Sequence, residues 1–189
     1  MGRFLLLTGD KAAGKTTAVR RVVEEVGIER CFGFFADEVR RDGKRQGFGL
    51  TTLDGHKGVL ASTDSESTLR VGGPNSAGVG RYGIELDFLE KVCVPLIRKA
   101  TSRSGREILV LDEIGPMQLY SEPFKEAITA VLSGSPHALV FGTIVLRSTP
   151  WADQFKKLPG VETFLLNEQN RDSLARMMSL YLSETLRTL

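Results

Sequence analysis

Residues 5–17, LLLTGDKAAGKTT, constrain this chain more than any other stretch. An apolar run ends at a loop bounded by Gly9 and Gly14, and Lys15, Thr16 and Thr17 follow at once. Glycine at both ends lets the backbone turn tightly enough for its amides to converge on an anion. A helix opening at Lys15 adds positive potential at its amino end. That helix is expected because Val19, Val22, Val23 and Val26 recur at helical spacing and Gly27 supplies a stop. Strand, glycine-bounded loop and helix in this order, with the spacing Gly-x4-Gly-Lys-Thr, form the P-loop pattern. The reading places a nucleoside triphosphate on Gly9, Asp10, Lys11, Ala12, Ala13, Gly14, Lys15, Thr16 and Thr17. Lys15 is expected to reach the β- and γ-phosphates, and the Thr16 hydroxyl to ligate Mg²⁺.

What becomes of the γ-phosphate depends on the second carboxylate motif, ILVLDEIG. Asp112 closes a buried strand, where a carboxylate can hold the magnesium directly or through water. Glu113 comes next and is placed to orient an attacking water. A glutamate beside the magnesium aspartate is what a water-activating site needs, which leans toward hydrolysis. Thr143 ends the apolar run ALVFGTI and either senses the γ-phosphate or simply enters a loop. Arg171 opens the last helix, where a cation opposes the macrodipole. It is either aimed at an anion, paired with Asp172, or turned to solvent. Glu38 and Arg40, in FADEVRRDGKRQG, emerge on the same sheet edge as the P-loop, where ligands bind. They either meet nucleotide, water or a second ligand, or form a salt-bridged hairpin. Arg81 and Tyr82, in GRYG, are similarly placed to clamp a phosphate and stack on a base.

The rest of the chain alternates strand-like and helix-like segments, which gives an α/β fold with a mostly parallel sheet and helices on both faces. CFGFFADEVRR is expected to leave that sheet and run into a small antiparallel meander, because Asp42-Gly43 and Asp54-Gly55 are hairpin-turn signals. Residues 62–83 are rich in small side chains and read as a mobile surface loop. A helix follows from about Glu85, kinked or restarted at Pro95. EILVLDE, ALVFGTI and VETFLL are three further core strands, and Phe124, Ala127, Ile128, Val131 and Leu132 mark a helix between the first two. The final helix carries Leu174, Met177, Met178, Tyr181 and Leu182 on one face, with Asn170 as its expected cap. All 189 residues read as one domain.

Composition narrows the classes. With 25 basic and 23 acidic residues the net charge is only +2, and no basic block stands out, so nucleic acid is an unexpected partner. The chain lacks an Asn-Lys-x-Asp box, hence strict guanine selection lacks its usual reader. Its two histidines are isolated, and its two cysteines sit in apolar runs, as reduced thiols of a cytoplasmic protein do. No secretory signal or membrane-spanning run is evident.

Together, the P-loop with two threonines, GFFADEVRRDGKRQGFGLTTLDG, GRYGIEL, LVLDEIGPMQL and NEQNRD resemble the thermophile and cancer-related nucleoside triphosphatase family, in order along nearly the whole chain. The resemblance implies a RecA- or AAA-like P-loop fold and slow, Mg²⁺-dependent hydrolysis of ATP, GTP and other triphosphates to diphosphate and phosphate. Two departures stand out. GDKAAGKTT lacks an additional glycine or proline often found inside the family's loop, and Gln118 stands where an acidic residue is expected. The rival readings are a P-loop kinase for a small molecule or nucleotide, with residues 62–83 as lid, and a nucleotide-switched binding module. The protein partner of such a module is not legible.

Overall fold

A computed structural model describes residues 3–74, 80–102, 107–134 and 137–188. Its centre is the apolar strand β1 (Arg3–Thr8), buried from Phe4 onward. Phe4 and Leu6 pack on one side of the sheet, Leu5 and Leu7 on the other, as strand alternation requires. Four strands run parallel with it: β2 (Cys31–Arg41), β7 (Ile108–Ile114), β8 (Leu139–Ile144) and β9 (Val161–Leu165). Between β2 and β7 lie β3 (Lys44–Thr52), β4 (Lys57–Ser62), β5 (Arg70–Pro74) and β6 (Gly80–Ile84), all antiparallel to their neighbours. The resulting nine-stranded order is β5-β6-β4-β3-β2-β7-β8-β1-β9.

Helices cover both faces. On one, α1 (Lys15–Val26) and α5 (Arg171–Thr188) bury Val19, Val22, Val23, Leu174, Met178 and Leu182 against Leu5, Leu7, Val110 and Phe141. On the other, α2 (Val94–Lys99), α3 (Glu122–Gly134) and the short α4 (Pro150–Phe155) close over Phe4, Leu6, Leu109, Leu111 and Val140. Among the described residues no helix is long and apolar enough to cross a membrane.

The meander begins as expected. β2 pairs with β7 only over Cys31–Phe34, then continues beyond it as the partner of β3. Asp42 and Gly43 both have positive φ, 51° and 73°, the conformation a two-residue hairpin turn needs. The stretch 62–83 departs from the unstructured loop expected, since β5 and β6 lie in it. Arg70 stabilises them by donating to the carbonyls of Ser65, Ser67, Gly80 and Arg81, which supplies the backbone partners a glycine-rich strand pair needs. Residues 75–79 of that stretch lie outside the described residues.

Two helices show detail beyond the expectation. The helix around Pro95 contains a π turn, Leu89–Cys93, in which the Val94 amide bonds to the Leu89 carbonyl five residues back. Proline at 95 supplies no amide to the regular ladder, so the wider turn forms just before it. The last helix begins at Arg171, directly after the expected cap Asn170, whose carbonyl accepts from the Leu174 amide. Asn167 Oδ1 accepts from the amides of Gln169 and Asn170, and Asn170 Oδ1 accepts in return from the Asn167 amide. This reciprocal pair closes the turn that leads into the helix, so the Asn170 side chain serves that turn rather than the helical amides.

Candidate active site

Numbered among themselves, the five parallel strands run 5-1-4-3-2 across the sheet, so the carboxyl ends of β7, β8 and β1 are neighbours. The loop after β1 carries the phosphate-binding pattern, the end of β7 carries the carboxylates, and β8 lies between them. Open parallel sheets bind ligands at this edge.

Gly9 is required by packing: a Cβ there would stand 2.3 Å from the Leu166 carbonyl oxygen, whose own amide holds Thr8 O at 2.7 Å. The loop then turns through Ala12 and Gly14 with φ of 63° and 91°, alternations that aim amides inward. Lys15 lies across this loop, its ammonium donating to the carbonyls of Gly9 (2.8 Å) and Asp10 (2.9 Å). Arg171 reaches the loop from α5, placing its Cδ 3.6 Å and its Nη1 3.7 Å from where a Cβ on Gly14 would be. Asp172, one of the partners considered for it, instead takes a hydrogen bond from Arg21 (3.0 Å). Arg171 is the first residue of α5, and its amide bonds to Asn167 O in the turn that precedes the helix.

Asp112 is the hub. It is 1 % exposed, accepts from Thr143 Oγ1 at 2.8 Å, and lies near the Thr16 hydroxyl, which favours its charged form. Register explains the Thr143 contact: Thr143 pairs with Leu7 of β1 while Gly142 pairs with Leu111 of β7, which sets it beside Asp112. Thr143 is fully buried, and its hydroxyl bonds the aspartate. Asp112 Oδ2 is buried with no protein partner. Burial pushes the Asp112 carboxyl up, against the two hydroxyl contacts and the Arg20 charge. Glu113 is partly buried and is likewise pushed up by burial and by the Asp112 charge, while Lys15 and Lys11 pull it down.

A pair absent from the sequence reading flanks this hub. Arg20 grips Asp37 with two bonds of 2.7 and 2.8 Å and stacks over Phe35 at 4.2 Å. Arg20 follows Thr16 by four residues, which sets both on one helix face toward Asp112. That spacing was the available signal.

A family model described as NTPase matches residues 4–178. The chain belongs to this NTPase family. A cancer-related nucleoside-triphosphatase homolog of Mus musculus is 36% identical over 92% of this chain and 93% of its own length. The nucleoside-triphosphatase THEP1 of Thermotoga petrophila is 35% identical over 91% of this chain and 88% of its own. The crystal structure of THEP1 from Aquifex aeolicus superposes with a TM-score of 0.80 at 30% identity, covering 95% of this chain and 98% of that one. The solution structure of a human cancer-related nucleoside triphosphatase gives 0.77 at 29%, covering 97% and 98%. The α/β P-loop architecture expected from the sequence is therefore that of the NTPase family.

Within this NTPase fold the meander residues bond to one another. Glu38 is forked between Arg40 (2.6 Å) and Arg45 (2.5 Å), and Arg40 also donates to Gly43 O. The salt-bridged hairpin is thus the arrangement present. Tyr82 corrects the expectation of a base platform. It is 5 % exposed, meets Phe48 edge-on at 5.4 Å, takes a hydrogen bond from Arg45, and has the Arg81 guanidinium over its ring. Strand β6 is also six positions from β1, on the order of 30 Å along the sheet. Arg81 and Tyr82 are therefore not brought to the P-loop.

Proposed function

We propose that this member of the NTPase family hydrolyses nucleoside triphosphates, ATP and GTP among them, to diphosphate and phosphate with Mg²⁺ and loose base selection. The observation that carries the reading is the meeting of Thr16 and Thr143 on one buried carboxylate, Asp112, with Glu113 next in the chain. Asp112 Oδ2, buried without a protein partner, and the Thr16 hydroxyl beside it fit a hard divalent cation, which prefers oxygen. These two residues would hold Mg²⁺, which when bound neutralises charge on the β- and γ-phosphate oxygens.

The protein's own groups supply the rest. Loop amides between Gly9 and Thr17 bind the phosphates, and Lys15 exchanges its carbonyl partners for phosphate oxygens. Thr143 keeps Asp112 oriented by its hydrogen bond. Glu113 aligns a water for in-line attack and takes its proton, a role that its burial-raised basicity suits. Arg171, beside Gly14, meets charge that grows on the departing γ-phosphate. The nearness of the Glu113 carboxylate to the phosphate loop favours water over a second substrate. The free, buried Cys31 and Cys93, each pushed up to about 12 by burial, accord with a reducing compartment such as the cytoplasm.

Phosphate release from ATP, GTP, CTP and UTP with no other acceptor present tests the reading. Release from all four, lost in Lys15→Ala, is the expected result. Release that requires an added metabolite or partner would instead assign the site to a kinase or a switch.

A further inference from the structure

Gln118 is a buried polar side chain that the reading above leaves unused. It opens a short 3₁₀ turn, Gln118–Tyr120, just after β7. Its exposure is 0 %, and neither Oε1 nor Nε2 has a hydrogen-bond partner. Burying a primary amide unpaired is unfavourable, so a side chain that only filled space here would be better apolar. The turn itself uses the backbone, through the Ser121 amide on the Gln118 carbonyl at 3.0 Å. The side chain is left over for something else.

Its position indicates what. The place where a Cβ on Gly115 would stand is 2.6 Å from Glu113 Oε2 and 3.1 Å from Gln118 Oε1. Both side-chain ends therefore border the same bare glycine. Among the described residues no hydrogen bond fixes the Glu113 carboxylate, which is influenced only by burial and by the charges of Asp112, Lys15 and Lys11. A half-turn of the Gln118 amide exchanges its oxygen for its N–H, a donor aimed at an anionic acceptor.

We propose that Gln118 is a positioning residue for hydrolysis: its Nε2–H donates to Glu113 and holds that carboxylate facing the attacking water. The inference rests on the assignment of Glu113 to water. A free glutamate samples several rotamers, and a displacement near 1 Å can cost a hundredfold in rate.

The test is a double-mutant cycle in the full chain, with Gln118→Met, Glu113→Gln and both together. Phosphate release, nucleotide affinity and Tm are read on each. Gln118→Met should lower kcat about 10- to 100-fold, leave KM within about threefold, and leave Tm unchanged or raised. On the Glu113→Gln background it should cost less than about twofold more, because the group it positions is gone. A kcat within twofold of wild type, an equal loss on both backgrounds, or a change confined to KM would overturn the proposal. So would failure of both Gln118→Met and Gln118→Leu to give a folded, nucleotide-binding protein, since that assigns the amide to the fold. A slow Glu113→Gln beside a fast Gln118→Met sinks this inference alone; undiminished release in Glu113→Gln removes the Glu113 assignment as well.

Discussion

Thr143 Oγ1 donates to Asp112 Oδ1 across 2.8 Å inside the sheet, and both residues are almost completely buried. One hydroxyl from the middle strand thereby fixes a carboxylate on the next. Thr143→Val keeps the volume and removes the donor. Because a buried acceptor would be left unpaired, chemical denaturation should show a loss of about 1–3 kcal/mol. A variant as stable as wild type would mean that the bond contributes nothing to the folded state.

Gly115 is predicted to matter for rate more than for folding. A methyl there meets the far end of the Glu113 side chain at 2.6 Å, and a flexible side chain can swing aside at little cost. Gly115→Ala should therefore keep its Tm within a few degrees while kcat falls tenfold or more, in line with the sensitivity of rate to small misplacements. Unchanged turnover would show that the observed Glu113 position is irrelevant to the reaction.

Arg171→Ala should lower turnover by at least about tenfold, with a smaller effect on nucleotide affinity, if the guanidinium beside Gly14 meets charge that develops during γ-phosphate departure. Equal losses in kcat/KM and affinity, with kcat unaffected, would reassign it to ground-state phosphate binding.

The meander offers a pH prediction. Hydrogen bonds from Arg45 and then Arg40 hold the Glu38 carboxyl below its ordinary value. A lowered folded pKa means that this stability is present above the ordinary glutamate range and is lost as pH falls through the folded value. The groups are substantially exposed, so the contribution is that of a surface pair, about 0–1 kcal/mol, and salt should screen it. The stability gap between wild type and Glu38→Gln should close at acid pH and at high ionic strength. A gap that widened on acidification would contradict the assignment.

Most of the sheet was legible because buried parallel strands write themselves as apolar runs, and β1, β7 and β8 are such runs. The P-loop and the Asp112-Glu113 pair were legible as motifs, because the first has a fixed spacing between strand and helix and the second closes an apolar run. What escaped depends on contacts between distant segments. Strands β5 and β6 are glycine-rich and rely on Arg70 reaching four carbonyls. The burial of Tyr82 follows from Phe48 and Arg45, far away in sequence. Helix α4 carried a signal that went unread, with Thr149 accepting from the Ala152 amide and Pro150 at the first helical position. The start of the last helix after Asn170 was legible, but the turn before it rests on reciprocal bonds between Asn167 and Asn170 that spacing does not show.

The central claim is that Glu113 directs water at the γ-phosphate, and Glu113→Gln tests it most directly. Glutamine keeps the size and can hydrogen-bond, but it removes the negative charge, while Lys15, Thr16 and Asp112 remain to bind. Fluorescent-nucleotide binding and phosphate release are measured on one preparation. The account predicts affinity close to wild type and release slower by roughly 10²–10⁴, the range for a positioned general base. Undiminished phosphate release would contradict it.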